Sequence, residues 1–302
     1  MESQTAGNRM ALRRLRKNSF LRWPLLAIVL FCCNGAAGAE NAEISSRRAV
    51  ARTDFTDDEI KDGFFKIAFT AEMQIGAASD RIRKFDEPVR IFVDNKALPD
   101  RSAEIADVVA DIRARIAHLD ISITNERQDA NVVVMLVSDR GMTATIRARY
   151  GERRANHIEK SLAPQCLSGI GKDKQYRIRR AEVILPVDAG EFTFYDCAFE
   201  ELLQALGAIN DDSSVPWTMF NDDVQMGFFD VYDQYLLNLL YDPRVRPGMT
   251  KEQVNKLMPD LLSAARAWVN GPVSRDHTEP RNGSGTSSSH TAAELERRQR
   301  TN

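Results

Sequence analysis

The alternation of apolar and polar positions changes period several times along the chain, and each change predicts an element. Between Thr56 and Ala68, Ile60, Phe64, Phe65 and Ile67 recur at helical spacing. Val89 to Val93 follows Pro88 with the β-branched and aromatic character of a strand. From Arg101 to Leu119, Ile105, Val108, Val109, Ile112, Ile116 and Leu119 define one face of a long amphipathic helix. Ile121 and Ile123 alternate with Ser122 and Thr124, which predicts a half-buried strand, whereas the unbroken apolar run Val132 to Val137 predicts a central one. A helix is expected near Glu152 to Leu162, and a strand over Ala181 to Leu185 stopped by Pro186. A further helix begins near Tyr195, with Phe199, Leu202, Leu203, Leu206 and Ile209 turned to a core. Ser213, Ser214 and Pro216 mark a loop, and Phe229 to Tyr241 is helical up to Asp242-Pro243. Thr250 and Gln253 form a capping box for a last helix carrying Val254, Leu257, Leu261, Leu262, Ala265 and Trp268 on one side, with Pro259 expected to break or kink it.

The ends of the chain follow different rules. Arg13, Arg14, Arg16, Lys17 and Arg22 precede an apolar run from Trp23 to Cys33 and then Ala37-Gly38-Ala39. This is the order of a secretory signal, so residues 1–39 are read as a signal peptide cleaved after Ala39, with retention as an anchor the alternative. The run is shorter than the roughly 20 apolar residues that span a bilayer, and Cys32 and Cys33 are apolar filler within it. Residues 40–53 lack apolar periodicity and are read as a flexible lead-in, residues 54–271 as a single domain, and residues 272–302, rich in Gly and Ser, as a disordered tail. The protein is therefore expected in the periplasm or outside the cell, without stable membrane insertion after cleavage.

Of the 302 residues 43% are hydrophobic and 28% charged, ample for a folded core, and the formal charge is −2. The signal segment carries six Lys or Arg and one acid, so what remains has a formal charge of −7. That argues against nucleic acid and anionic lipid as partners. Only Cys166 and Cys197 remain beyond the signal; export makes a disulfide between them the natural reading, two buried thiols the alternative.

Candidate chemistry is sparse. No Gly-x-Ser-x-Gly elbow occurs, His118 and His157 sit at a helix end and among charges, and His277 and His290 lie in the tail. Gly169-Ile170-Gly171-Lys172 lacks the spacing of a phosphate loop and reads as a turn. The informative stretch is Glu200-Glu201-Leu202-Leu203-Gln204-Ala205-Leu206-Gly207-Ala208-Ile209-Asn210. It resembles the metzincin zinc-peptidase motif H-E-x-x-H-x-x-G-x-x-H, with the Glu and Gly in register and every His replaced. Met219 falls where that superfamily carries the Met of its Met-turn. More closely, Cys166-Leu167, Cys197 with Glu200-Glu201, Gln204 to Gly207, Phe220-Asn221-Asp222, Tyr241 to Arg244 and Pro247-Gly248-Met249 look like the bacterial exported family called domain of unknown function 2927.

These resemblances imply an α+β, metzincin-like or zincin-like fold: a mixed sheet packed on a long helix and a former active-site helix, followed by C-terminal helices. They place Glu200, Gln204 and Asn210 at the metal-ligand positions and Glu201 as candidate general base. Amide oxygens are weak ligands beside imidazole nitrogen, so the set argues against a zinc hydrolase and for a hydrogen-bonded network tying the helix to the loop after Gly207. Asp211, Asp212, Asp222 and Asp223 crowd the same region and keep a hard-cation site as a minor idea. The expected function is a non-catalytic domain, without cofactor, that holds a peptide or envelope protein by strand addition beside Ala181 to Leu185. The alternative is a metal-dependent, peptidase-like hydrolase using zinc or another divalent cation.

Overall fold

Strands β1 (Val89–Asn95), β2 (Ile121–Ile123), β3 (Val132–Val137), β4 (Leu167–Lys172) and β5 (Ile178–Pro186) form one sheet in the order β2-β1-β3-β5-β4. They belong to a computed structural model that describes residues 40–69, 80–161 and 164–271. The segment read as a signal and the tail read as disordered lie outside the described residues. Pairing is parallel from β2 through β5, and β4 is antiparallel at the edge. Among the described residues the architecture is thus α+β with a mixed five-stranded sheet and eight α-helices.

The two faces of β3 explain its unbroken apolar sequence. Val132, Val134 and Leu136 enter the main core with α2 (Asp57–Ile67), α3 (Ser102–Arg115), α6 (Glu191–Ala205), α7 (Val231–Tyr241) and α8 (Lys251–Val269). Met135 and Val137 face a smaller cluster with α4 (Met142–Tyr150) and α5 (Glu152–Ser161). A strand covered on both faces has no solvent side on which to place polar residues.

Several expectations need correction. The segment read as a flexible lead-in contains helix α1 (Ala42–Val50), capped by Asn41. Its docking is carried by cations: the Arg47 guanidinium lies 4.6 Å from the Phe192 ring centre, Arg48 lies 4.2 Å from that of Phe228, and only Ile44 is buried. Stacked guanidinium groups hold a helix whose sequence shows no apolar stripe. Helix α4 was not foreseen, because it buries only Met142 and Ile146. The Gly169 to Lys172 segment is strand β4 and not a turn. Its glycines leave room for neighbours, since a Cβ at 169 would collide with the Tyr150 hydroxyl and one at 171 would meet the Arg180 side chain at 2.8 Å.

Helix α3 stops at Arg115, short of the expected Leu119, because Asn238 of α7 engages its end: Asn238 Nδ2 donates to the Arg115 carbonyl at 2.9 Å and its Oδ1 accepts from Ala117 N at 2.8 Å. Helix α6 starts at Glu191, before the expected Tyr195. Helix α8 runs through Pro259 without a break. The carbonyl that Pro259 leaves without its helical donor belongs to exposed Asn255, and water can serve it.

Both ends of α7 are held by buried charge. At its C-terminus the Lys84 ammonium donates to the carbonyls of Leu240 (2.7 Å), Val245 (2.9 Å) and Asp242 (3.3 Å). Burial lowers the pKa of Lys84 to about 8 against the opposing pull of Asp242 and Asp86. At the N-terminus Asp230 caps Asp233 N at 2.9 Å, and the Asp233 carboxylate accepts from Thr218 Oγ1 and, at 2.9 Å, from Met219 N. Burial raises Asp233 to about 6, and burial together with Asp233 raises Asp230. The loop carrying Met219 is thereby pinned to the start of α7.

Candidate functional site

Helix α6 turns Phe194, Cys197, Ala198, Leu202, Leu203 and Ala205 into the core. Glu200 and Gln204, one turn apart and only half buried, share the flank of the helix that also carries Cys197 and faces β4. The chain reverses at Gly207, whose φ is +121° and whose missing side chain admits the Arg83 carbonyl, so no other residue fits there without displacing backbone. That reversal brings the following loop back over α6. Gln204 Nε2 donates to Asp211 Oδ1 and Oδ2 at 2.9 and 3.1 Å, while Gln204 Oε1 accepts from Ser168 Oγ of β4 at 3.1 Å.

Carboxylate oxygens of Glu200, Asp211 and Asp222 lie within 4.8 Å of one another. Burial first, and then the negative charges of Glu201, Asp211, Asp196 and Asp222, push the pKa of Glu200 up to about 10. Glu200 is therefore protonated at neutral pH, as expected when close carboxylates cannot all ionise. Asp196 closes the far side, accepting from Met226 N at 2.7 Å and Gly227 N at 3.0 Å.

A stability consequence follows from the sign of this shift. Glu200 is raised above its unfolded value, so its contribution is complete below about pH 4.5 and is lost as pH climbs toward 10. Glu200→Gln keeps the shape and removes the ionisable group. It should raise stability by about 1–2 kcal/mol at pH 8–9 and flatten the stability profile between pH 5 and 9. Denaturant titrations of both proteins at several pH values check this, and parallel profiles would refute it.

The metzincin resemblance placed Glu200, Gln204 and Asn210 around one metal. Gln204 is engaged on both sides of its amide by Ser168 and Asp211, and Asn210 Nδ2 donates to the Lys66 carbonyl at the end of α2, at 3.1 Å. Both amides therefore serve as structural links, but to different partners: Gln204 joins α6 to β4 and to the loop after Gly207, and Asn210 joins that loop to α2, so the two do not form the single network expected around Glu200. Glu201, the candidate base, is 6% exposed and belongs to the buried side of α6. Met219 is buried beneath the loop. A catalytic zinc needs three strong ligands and an open position. One carboxylate and two engaged amides do not meet that need.

The geometry instead gathers Asp211 and Asp222 beside Glu200, two residues visible in the sequence only as part of an acidic loop. Ser168, just before the Gly169 to Lys172 segment that reads as a turn, carries no sequence signal. A half-buried group of three acids can share protons or receive a cationic group. Above it, the Cys166–Cys197 disulfide joins the start of β4 to α6 across 31 positions of sequence. Strand β4 is thus tied to the acid-bearing helix by one covalent link and one hydrogen bond.

Strand addition was expected beside Ala181 to Leu185. Those residues lie in β5, which pairs with β3 on one side and β4 on the other, and so offers no free edge. Among the described residues the outer edge on this side of the sheet belongs to β4.

A family model described as Protein of unknown function (DUF2927) matches residues 57–260. Neither a curated protein nor a solved structure matches the chain. Among the described residues no helix is long and apolar enough to cross a membrane.

Proposed function

Because the chain belongs to the DUF2927 family, which brings no activity with it, we propose from its own geometry that it is an exported, non-catalytic, zincin-like domain. It holds an extended segment of a peptide or envelope protein along β4. The observation that carries this reading is the edge position of β4, directly beside the helix bearing Glu200 and Gln204. An edge strand presents a row of backbone donors and acceptors, and a guest strand gains affinity from those bonds and specificity from alternate side chains.

The strand order β2-β1-β3-β5-β4, with the antiparallel strand at the edge and then the motif helix, supports the zincin-like part of the reading. The basic and apolar start of the sequence and the disulfide support export. Replacement of the ligand histidines, with Gln204 and Asn210 engaged elsewhere, supports the absence of catalysis. Asp211 and Asp222, beside the protonated Glu200, favour a guest with Lys or Arg at the position over α6.

The test is an amide-resolved NMR titration with extended peptides that alternate Val and Lys. Shifts concentrated over 167–172 and around 200–211 are expected, with binding weakened about tenfold or more when alternate backbone nitrogens of the peptide are methylated. Absence of any shift in β4 overturns the docking site. Metal content is measured on the same protein, purified without chelator. One divalent cation per chain, lost in Glu200→Ala, would overturn the non-catalytic reading and restore the hydrolase alternative.

A further inference from the structure

On the sheet face opposite α3 lies a groove of about 270 Å³ that the reading above does not use. Its floor is Met135 and Val137 at the carboxyl end of β3, and its wall is the exposed pair Ala144 and Ala148, one turn apart on α4. Three cations from three different elements line it: Lys96 after β1, Arg127 from a 3-10 turn, and Arg149 near the end of α4.

Its place in the topology is informative. From β1 the chain passes through α3, on the main-core face, to β2 on one side. From β3, on the other side of β1, it passes into α4 on the opposite face. In open sheets with parallel strands, a crevice forms outside the carboxyl ends where the connections diverge in this way, and ligands bind there. The side chains fit that expectation. Asp94 is the one acid in the lining, 19% exposed, and it sits between Lys96 at 2.9 Å and Arg127 at 3.2 Å. One carboxylate between two cations leaves them net positive, and Lys96 and Arg127, 65% and 47% exposed, can each face an anion from solvent as well as Asp94. Arg149 is paired with Glu182 on β5. A positive rim over an apolar floor, on an acidic chain, is complementary to a small amphiphilic anion.

We infer that this groove is a binding site for an apolar group carrying one carboxylate, with Lys96 and Arg127 receiving the carboxylate and Met135, Val137, Ala144 and Ala148 the apolar body. A space of about 270 Å³ has the scale of a small ligand of roughly ten non-hydrogen atoms. The carboxylate can come from a free acid or from the C-terminal residue of a peptide chain, and the experiment separates the two.

The full chain is titrated by calorimetry and NMR with 3-phenylpropionate and with N-acetyl-phenylalanine, each beside its neutral amide. Binding in the micromolar to millimolar range is expected for an acid, and at least about tenfold weaker binding for its amide. Preference for the first acid identifies a free metabolite, and preference for the second a chain terminus; either supports the site. Lys96→Gln with Arg127→Gln should weaken the acid about tenfold or more, and Ala148→Trp, an exposed helix position, should remove binding by filling the space. Thermal melts show that the variants remain folded. If neither acid binds at millimolar concentration, or if Ala148→Trp binds as the parent does, the assignment is wrong. None of these readouts involves β4, so this result and that of the edge-strand titration are independent.

Discussion

Lys84→Met is expected to lower the stability of the protein by about 2–4 kcal/mol at pH 7. The methionine fills most of the volume of the lysine stem, so the packing lost is small. What goes is the donor to the carbonyls of Leu240, Asp242 and Val245. These lie at and just beyond the C-terminus of α7, where the helix dipole is negative and its last carbonyls have no helical donors. Removing the ammonium also removes the cost of burying it, visible in its lowered pKa, which is why the expected loss is smaller than three isolated hydrogen bonds would suggest.

The pH dependence supplies an independent check. Lys84 falls from 10.5 in the unfolded chain to about 8 in the folded protein. Between those values the unfolded state binds more protons, so this group makes stability rise with pH. That rise should be absent in Lys84→Met, and the deficit of the variant should therefore be larger at pH 9.5 than at pH 7. Urea titrations at the two pH values measure both effects. A loss under about 1 kcal/mol would show that water satisfies the three carbonyls as well as the lysine does.

Removal of the disulfide in Cys166→Ala/Cys197→Ala is expected to have a similar effect. The linkage spans 31 positions, for which the chain-entropy relation gives about 3.5 kcal/mol. The loss should be uneven. Cys197 is anchored in the core side of α6, whereas β4 is an edge strand with one neighbour, and so β4 should loosen first. Hydrogen exchange is the decisive readout: protection of the amides of residues 167–172 should fall well beyond the global change. Uniform loss across β3, β5 and β4 would mean that the edge strand is held by its ladder alone.

The parts of the fold legible in the sequence are those in which a buried face dictates residue type directly. The apolar run 132–137, the alternation at 121–123 and the stripes of α2, α3 and α8 are each a local record of burial. Thr250 caps α8 with Gln253 as the sequence indicates, and the structure adds the same box between Thr56 and Glu59 at the start of α2. Elements held by other means escaped notice: α1 by guanidinium groups on aromatic rings, β4 by glycines that make room for Tyr150 and Arg180.

For the candidate site the division falls between neighbours in sequence. Helical spacing alone places Glu200 and Gln204 on one side, and in the structure both are half-buried where Glu201 is buried. Which loop residues meet them is decided by the reversal at Gly207, where the Arg83 carbonyl occupies the space of a side chain. That reversal delivers Asp211 to Gln204 and leaves Asn210 on the Lys66 carbonyl. The sequence by itself determined α2, α3, α7, α8 and the strands β1, β2, β3 and β5 with their buried faces, because those depend on residue type and short-range period. Only the tertiary structure decided that β4 and not β5 has the open edge, that three acids converge over α6, and that a cationic groove opens beside α4. Each of these depends on the distance between residues far apart in the chain, and such distances are set by packing and topology rather than by local preference.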